Sequence, residues 1–137
     1  MESTYEIQPE EFEILIVEDS PTQAGRLRRL IQSKSYRVRV ASNGQLALGL
    51  IAQYRPDLVL SDIIMPEMNG YEATQHIRKK MEAPKSTIPI IALTADVTKE
   101  EMDKCTALGM DDYILKPFNE TDLLTKIIRL VKETKRQ

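Results

Sequence analysis

Short apolar runs alternate with longer amphipathic stretches along this chain. The segments "EILIVED", "YRVRVA", "PDLVLSD", "IPIIALTA" and "DYILKP" are apolar runs of strand length, and they predict five strands. The stretches between them carry helix signals. Ser20-Pro21 supplies an N-cap followed by proline at the first helical position, and Ala24, Leu27 and Ile31 then recur at helical spacing. Asn43 caps a second helix with Ala47 and Ile51 on its inner side, stopped by Pro56. Asn69 with Glu72, and Thr98 with Glu101, place an acid three residues after a cap, close to a capping box. Gly109 falls where a helix C-terminal cap belongs, and Asn119 opens a last helix with Leu123, Ile127 and Leu130 on one stripe.

Strict strand-helix alternation with nearly continuous apolar strands predicts a parallel sheet covered on both faces, because parallel strands need helical crossovers. The fold class is α/β, a doubly wound five-stranded parallel sheet. The second strand is the exception: Val38 and Val40 alternate with Arg37 and Arg39, which suits an edge half open to water.

Composition narrows the reading. At 137 residues there is room for one core, and an apolar fraction of 42 % lets it pack without disulfides or metal staples. The expected organisation is an extension over residues 1–12, a domain over 13–132 and a tail over 133–137, both ends being polar and aperiodic. A net charge of -2 argues against direct nucleic-acid binding. The single cysteine, Cys105, forms no internal disulfide, and the absence of a signal peptide or long apolar stretch predicts a cytoplasmic protein off the membrane.

In a doubly wound sheet the loops after parallel strands emerge at one edge, where ligands bind. The strands end in Glu18-Asp19, Asp62, Thr94 and Lys116-Pro117. Carboxylates crowded together repel unless a cation intervenes, and magnesium suits a small acidic set that leaves positions for water and phosphate. Lys116 offers a compact charge for a phosphate oxygen and Thr94 a hydrogen-bond donor. The set fits phosphoryl transfer, with Asp62 as candidate nucleophile and Pro66 and Gly70 shaping the loop beyond it. Each residue also has a plainer reading. Asp62 serves as a loop cap, Thr94 as a β-former, Lys116 as a solvated lysine, Tyr113 as a core aromatic, and the basic run Arg26, Arg28, Arg29 as the solvent face of the first helix.

The ordered motifs "LIVEDSPTQ", "DLVLSDIIMPEMNGYEAT", "IIALTA" and "GMDDYILKPF" resemble the receiver domain of response regulators in two-component signalling, over about residues 13–131. The resemblance implies a flavodoxin-like strand order 2-1-3-4-5 and a signalling switch rather than an enzyme, though one that assists its own phosphorylation and dephosphorylation. It implies that Asp62 accepts a phosphoryl group, and that Glu18, Asp19, Asp62 and the carbonyl of Ile64 bind Mg2+. It further implies that Thr94 and Lys116 contact the phosphoryl oxygens, that Tyr113 is the aromatic switch, and that Lys116-Pro117 is cis. Glu18 departs from the Asp of many receivers, and Ile64 and Asp96 occupy positions that tune dephosphorylation.

The implied partners are a histidine kinase or histidine phosphotransfer protein as donor. An output protein or a second copy would bind through the face of the fourth helix, fifth strand and fifth helix. Two other readings compete: a magnesium-dependent phosphatase of the haloacid dehalogenase type, which would need an acid at Ile64, and an interaction module with a silent site.

Overall fold

In a computed structural model, residues 8–63, 70–95 and 98–135 are described. The strands are β1 (Glu13–Val17), β2 (Arg37–Ala41), β3 (Leu58–Asp62), β4 (Ile90–Thr94) and β5 (Asp112–Leu115). They alternate with helices α1 (Pro21–Gln32), α2 (Gly44–Tyr54), α3 (Gly70–Lys80), α4 (Lys99–Ala107) and α5 (Glu120–Lys135). All strand pairs are parallel and the order is β2-β1-β3-β4-β5, so the strand order reverses at β1.

The period of two in each strand divides the core. Ile14, Ile16, Leu58, Leu60, Ile91 and Leu93 face α1 and α5, against Leu27, Ile31, Leu123 and Ile127. Leu15, Val17, Val59, Ile90 and Ala92 face the other way, against Ala47, Ile51, Ile77 and Cys105. Because β1, β3 and β4 are buried on both faces, they read as continuous apolar runs. β2 is one of the two outer strands, and its arginines are occupied: Arg39 Nε donates to Glu13 Oε2 at 3.0 Å while its guanidinium lies 3.5 Å from the Tyr54 ring centre. Phe12 joins the core from a 3-10 turn at Pro9–Glu11.

The caps lie where the side chains allow them. Ser20, Asn43, Thr98 and Asn119 accept the amides of Gln23, Leu46, Glu101 and Asp122, at 3.3, 2.8, 3.2 and 2.9 Å. Gly109, at φ 97°, ends α4: its amide donates to the Thr106 carbonyl at 3.1 Å, and the Met110 amide to Cys105 at 3.0 Å. The Lys116-Pro117 peptide is cis, as is Ala83-Pro84, which the sequence had not suggested. The expected cap at Asn69, the loop residue Pro66 and the tuning positions Ile64 and Asp96 lie outside the described residues.

Candidate functional site

Strand register assembles the site. Val17 pairs with Ser61, so the next residues along, Glu18 and Asp62, emerge side by side. Asp62 pairs with Leu93 and Thr94 with Leu115, which puts Thr94 and Lys116 one step further along the same edge. The Lys116 amide donates to the Thr94 carbonyl at 2.7 Å, holding the end of β5 against β4.

One carboxylate oxygen each from Glu18, Asp19 and Asp62 lies within 4.8 Å of the other two. Their surroundings differ. Glu18 is 2 % exposed and Asp62 8 %, whereas Asp19 is open to water. Lys116 Nζ sits between the two buried acids, 3.0 Å from Asp62 Oδ2 and 3.3 Å from Glu18 Oε1. Glu18 also accepts the Ser20 amide at 3.1 Å, which fixes its carboxylate over the start of α1. Among the described residues, three acids against one ammonium leave the cluster with an excess of negative charge. Burial pushes the Glu18 carboxyl above its ordinary range, and the neighbouring Asp62 adds to this against the pull of Lys116 and the Ser20 amide. Burial would lower the Lys116 ammonium, but its bonds and charge pairing with Asp62 and Glu18 outweigh it and hold the proton more tightly than usual.

Hard oxygen donors, uncompensated charge and one solvent-facing ligand fit a divalent cation that keeps part of its water shell. The carbonyl of Ile64, expected as a further ligand, lies outside the described residues. Thr94 is 6 % exposed at the end of β4. Tyr113 is half-buried on the α4 side of β5, where Lys126 Nζ donates to its carbonyl at 2.7 Å and stands 4.7 Å from its ring centre. Gly70, the first residue of α3, is pressed against β3: its amide donates to the Ile63 carbonyl at 2.9 Å.

Two features were not foreseen. Glu101 lines a cavity of about 250 Å³ together with Asp62, Thr94 and Lys116. Its place three residues after Thr98 explains it locally as a capping acid, which hides its reach toward the site. Arg26 lies over the Phe118 ring, 5.6 Å from its centre, and the two border a second cavity with Gln23 and Lys116, so one of the basic residues of α1 reaches the edge of the site.

The raised Glu18 carboxyl gives a pH prediction. The folded chain keeps that proton to higher pH than the unfolded chain, so the group's stabilising contribution is complete below its ordinary 4.5 and is lost as pH rises through the raised value. A bound cation displaces the same proton. Magnesium should therefore raise the melting temperature most at and above neutral pH and progressively less as pH falls toward 4.5, with Glu18→Gln flattening that dependence. Differential scanning calorimetry across pH checks this, and a magnesium effect independent of pH would contradict it.

A doubly wound domain that gathers buried acids, a hydroxyl and an ammonium at the strand ends beside its topological reversal defines a class of phosphoryl-handling proteins. Within that class the chain belongs to the response regulator receiver domain family, which it matches over residues 14–128. It is 40 % identical over 116 residues to protein PilH of Pseudomonas aeruginosa, covering 83 % of this chain and 93 % of that one. The receiver domain of a signal transduction histidine kinase from Syntrophus aciditrophicus superposes with a TM-score of 0.84 at 36 % identity, over 92 % of this chain and 94 % of that one. A receiver domain of a Pseudomonas aeruginosa sensor histidine kinase, with a magnesium ion coordinated in its active-site cleft, gives 0.80 at 34 % identity, over 88 % and 97 %. Receiver domains accept phosphoryl groups from histidine kinases and act as signalling switches, generally not as enzymes. This chain is such a receiver of two-component signalling, and its acidic pocket is compatible with phosphorylation. Among the described residues, no helix is long and apolar enough to cross a membrane.

Proposed function

We propose that Asp62 is the phosphoacceptor, that Glu18, Asp19, Asp62 and the Ile64 carbonyl hold Mg2+, and that the donor is a phosphohistidine on a histidine kinase or histidine phosphotransfer protein. The observation that carries this is the three-carboxylate group with Lys116 bonded between two of its members. A carboxylate oxygen of Asp62 attacks phosphorus, a P–O bond forms as the P–N bond to the donor imidazole breaks, and the imidazole departs with the electron pair. Bound Mg2+ would supply charge neutralisation between the acids and the incoming phosphoryl oxygens. Lys116, already 3.0 Å from Asp62, exchanges that contact for a phosphoryl oxygen, and Thr94 donates its hydroxyl to another.

The site so described assists its own phosphorylation, and loss of the group by hydrolysis resets it. Inward movement of Thr94 draws Tyr113 with it and biases two arrangements of the face built by α4, β5 and α5, where an output protein or a second copy binds. The exposed arginines of α1 and the Arg26–Phe118 cavity give the donor a basic, partly apolar place to rest beside Lys116. Such a switch acts in the cytoplasm, where its donors present their phosphohistidine.

The test is uptake of phosphate from acetyl phosphate with and without magnesium, followed by intact-mass spectrometry. A stoichiometric, magnesium-dependent adduct supports the reading, and its absence at saturating magnesium rejects it in favour of a silent interaction module. Thr94→Ala should still take up phosphate on Asp62 while losing most of the change in partner binding. Undiminished partner switching in that variant would remove Thr94 from the coupling.

A further inference from the structure

Charge is sorted along this chain rather than mixed. From Ser20 to Pro56 there are seven lysines and arginines and no aspartate or glutamate, so all 21 acids lie outside that stretch. It builds α1, β2 and α2. β2 ends the sheet, and none of the described strands pairs with its outer side. The Arg37 amide donates to the Phe12 carbonyl at 3.1 Å and the Glu18 amide to the Ala41 carbonyl at 3.0 Å, so these β2 residues turn their main chain toward β1. By the alternation of a parallel ladder, the amides and carbonyls of Val38 and Val40 point the other way, off the sheet.

The side chains of β2 alternate as well. Val38 and Val40 are half-buried against the core under α1. Arg37 and Arg39 share one buried acid, Glu13, at 3.6 and 3.0 Å, and their side chains stay 56 % and 38 % exposed. Two guanidinium groups against one carboxylate leave a positive charge over at this edge, among the described residues. Arg37 also donates to the Glu10 and Glu11 carbonyls at 3.0 and 3.2 Å, so those two acids stand at the foot of the strand. Arg28 and Arg29 of α1, which packs on β2, and Lys34 in the turn before β2 are exposed and add to the positive field.

We propose that the outer edge of β2 is a docking strand for an extended segment of a partner protein in which acids alternate with apolar residues. Such a segment pairs its amides and carbonyls with those of Val38 and Val40, lays its apolar side chains beside the two valines and its acids beside Arg37 and Arg39. A polypeptide matches this edge and a nucleic acid does not. Only a peptide brings donors and acceptors at the repeat of a strand, and β2 is about 17 Å long, so a long polyanion would overrun it onto surface that holds every acid of the chain. The inference does not depend on the chemistry at Asp62.

The probe is a capped peptide of five glutamate-valine repeats, titrated into the isotope-labelled whole chain and followed by amide chemical shifts and solvent exchange. The largest shifts should fall on Val38 and Val40, whose exchange should slow at least about fivefold at saturation. Raising salt from about 0.05 to 0.5 M should weaken binding about tenfold. The fully N-methylated peptide keeps its charge and loses its donors, and should bind at least about tenfold more weakly, as should the wild-type peptide to Arg28→Glu/Lys34→Glu. Absence of binding at about 1 mM peptide, shifts that leave Val38 and Val40 unmoved, or equal binding of the N-methylated peptide overturns the docking strand. A short DNA duplex bound more tightly than the peptide would make the surface a nucleic-acid one instead. Protection of Val38 and Val40 that grows with protein concentration in the absence of peptide would give the edge to a second copy. If the double variant does not fold, the two peptides on the wild type decide the matter.

Discussion

Asp62→Asn is expected to take up no measurable phosphoryl group from acetyl phosphate or from a phosphohistidine donor, a loss of at least about a thousandfold in rate. An amide oxygen has neither the charge nor the basicity to displace an imidazole or acetate from phosphorus, and among the described residues no second buried carboxylate borders the Thr94 cavity. The variant should not be a folding mutant. Three acids face one ammonium in the wild type, and removing one relieves the repulsion that helps raise the Glu18 carboxyl, while Lys116 keeps its 3.3 Å contact with Glu18. The melting temperature without magnesium should therefore rise, and the increase produced by adding magnesium should shrink, since one of the three clustered carboxylates has lost its charge. Phosphate incorporation by intact mass and thermal unfolding with and without magnesium check both parts. A variant that still carries stoichiometric phosphate would move the acceptor to another carboxylate. A variant that lacks phosphate because it melts many degrees lower would say nothing of chemistry and would show the net charge of the site to be misjudged.

The strand ends carried most of this site legibly, because a parallel sheet brings them to one edge whatever the loops do. Once Val17, Ser61 and Leu93 lie in register, Glu18, Asp62 and Thr94 have nowhere else to go. Sequence adjacency could not separate Glu18 from Asp19, since both follow β1; only the packed structure makes the first buried and the second exposed. The same holds for Asp111 and Asp112. The first binds Arg78, and the second pairs with Lys126 at 3.4 Å and with Arg129, so neighbouring identical residues serve opposite sides of the sheet edge. Arg78 itself reads in the sequence as one of several basic residues favouring a helix C-terminus. Its acceptors at 86, 109 and 111 lie 8, 31 and 33 residues further along the chain and meet it only in three dimensions. Long-range polar contacts leave no periodicity behind them, whereas a buried strand does.

Gly70→Ala tests the wall behind Asp62, the proposed phosphoacceptor, and a large cost is expected of it. A Cβ at Gly70 would lie 2.5 Å from the Asp62 carbonyl oxygen, 3.0 Å from Ile63 Cα and 3.1 Å from Ser61 Oγ. Two of these are backbone atoms of the segment that carries Asp62, and neither can rotate aside. Relief requires α3 to withdraw from β3, stretching the 2.9 Å bond from the Gly70 amide to the Ile63 carbonyl. Overpacking plus a weakened hydrogen bond should cost about 2–4 kcal/mol. Displacement of the Asp62 backbone should also reduce the stabilisation gained from magnesium. Gly49 provides the contrast. It lies exposed in the middle of α2 with nothing within 4 Å of its added Cβ, so Gly49→Ala should gain about 0.5–1 kcal/mol from helix propensity alone. Urea midpoints at constant m-value measure both. If Gly70→Ala proved as benign as Gly49→Ala, with its magnesium response intact, the start of α3 would not be pressed against the end of β3, and the geometry assigned to Asp62 would have to be redrawn.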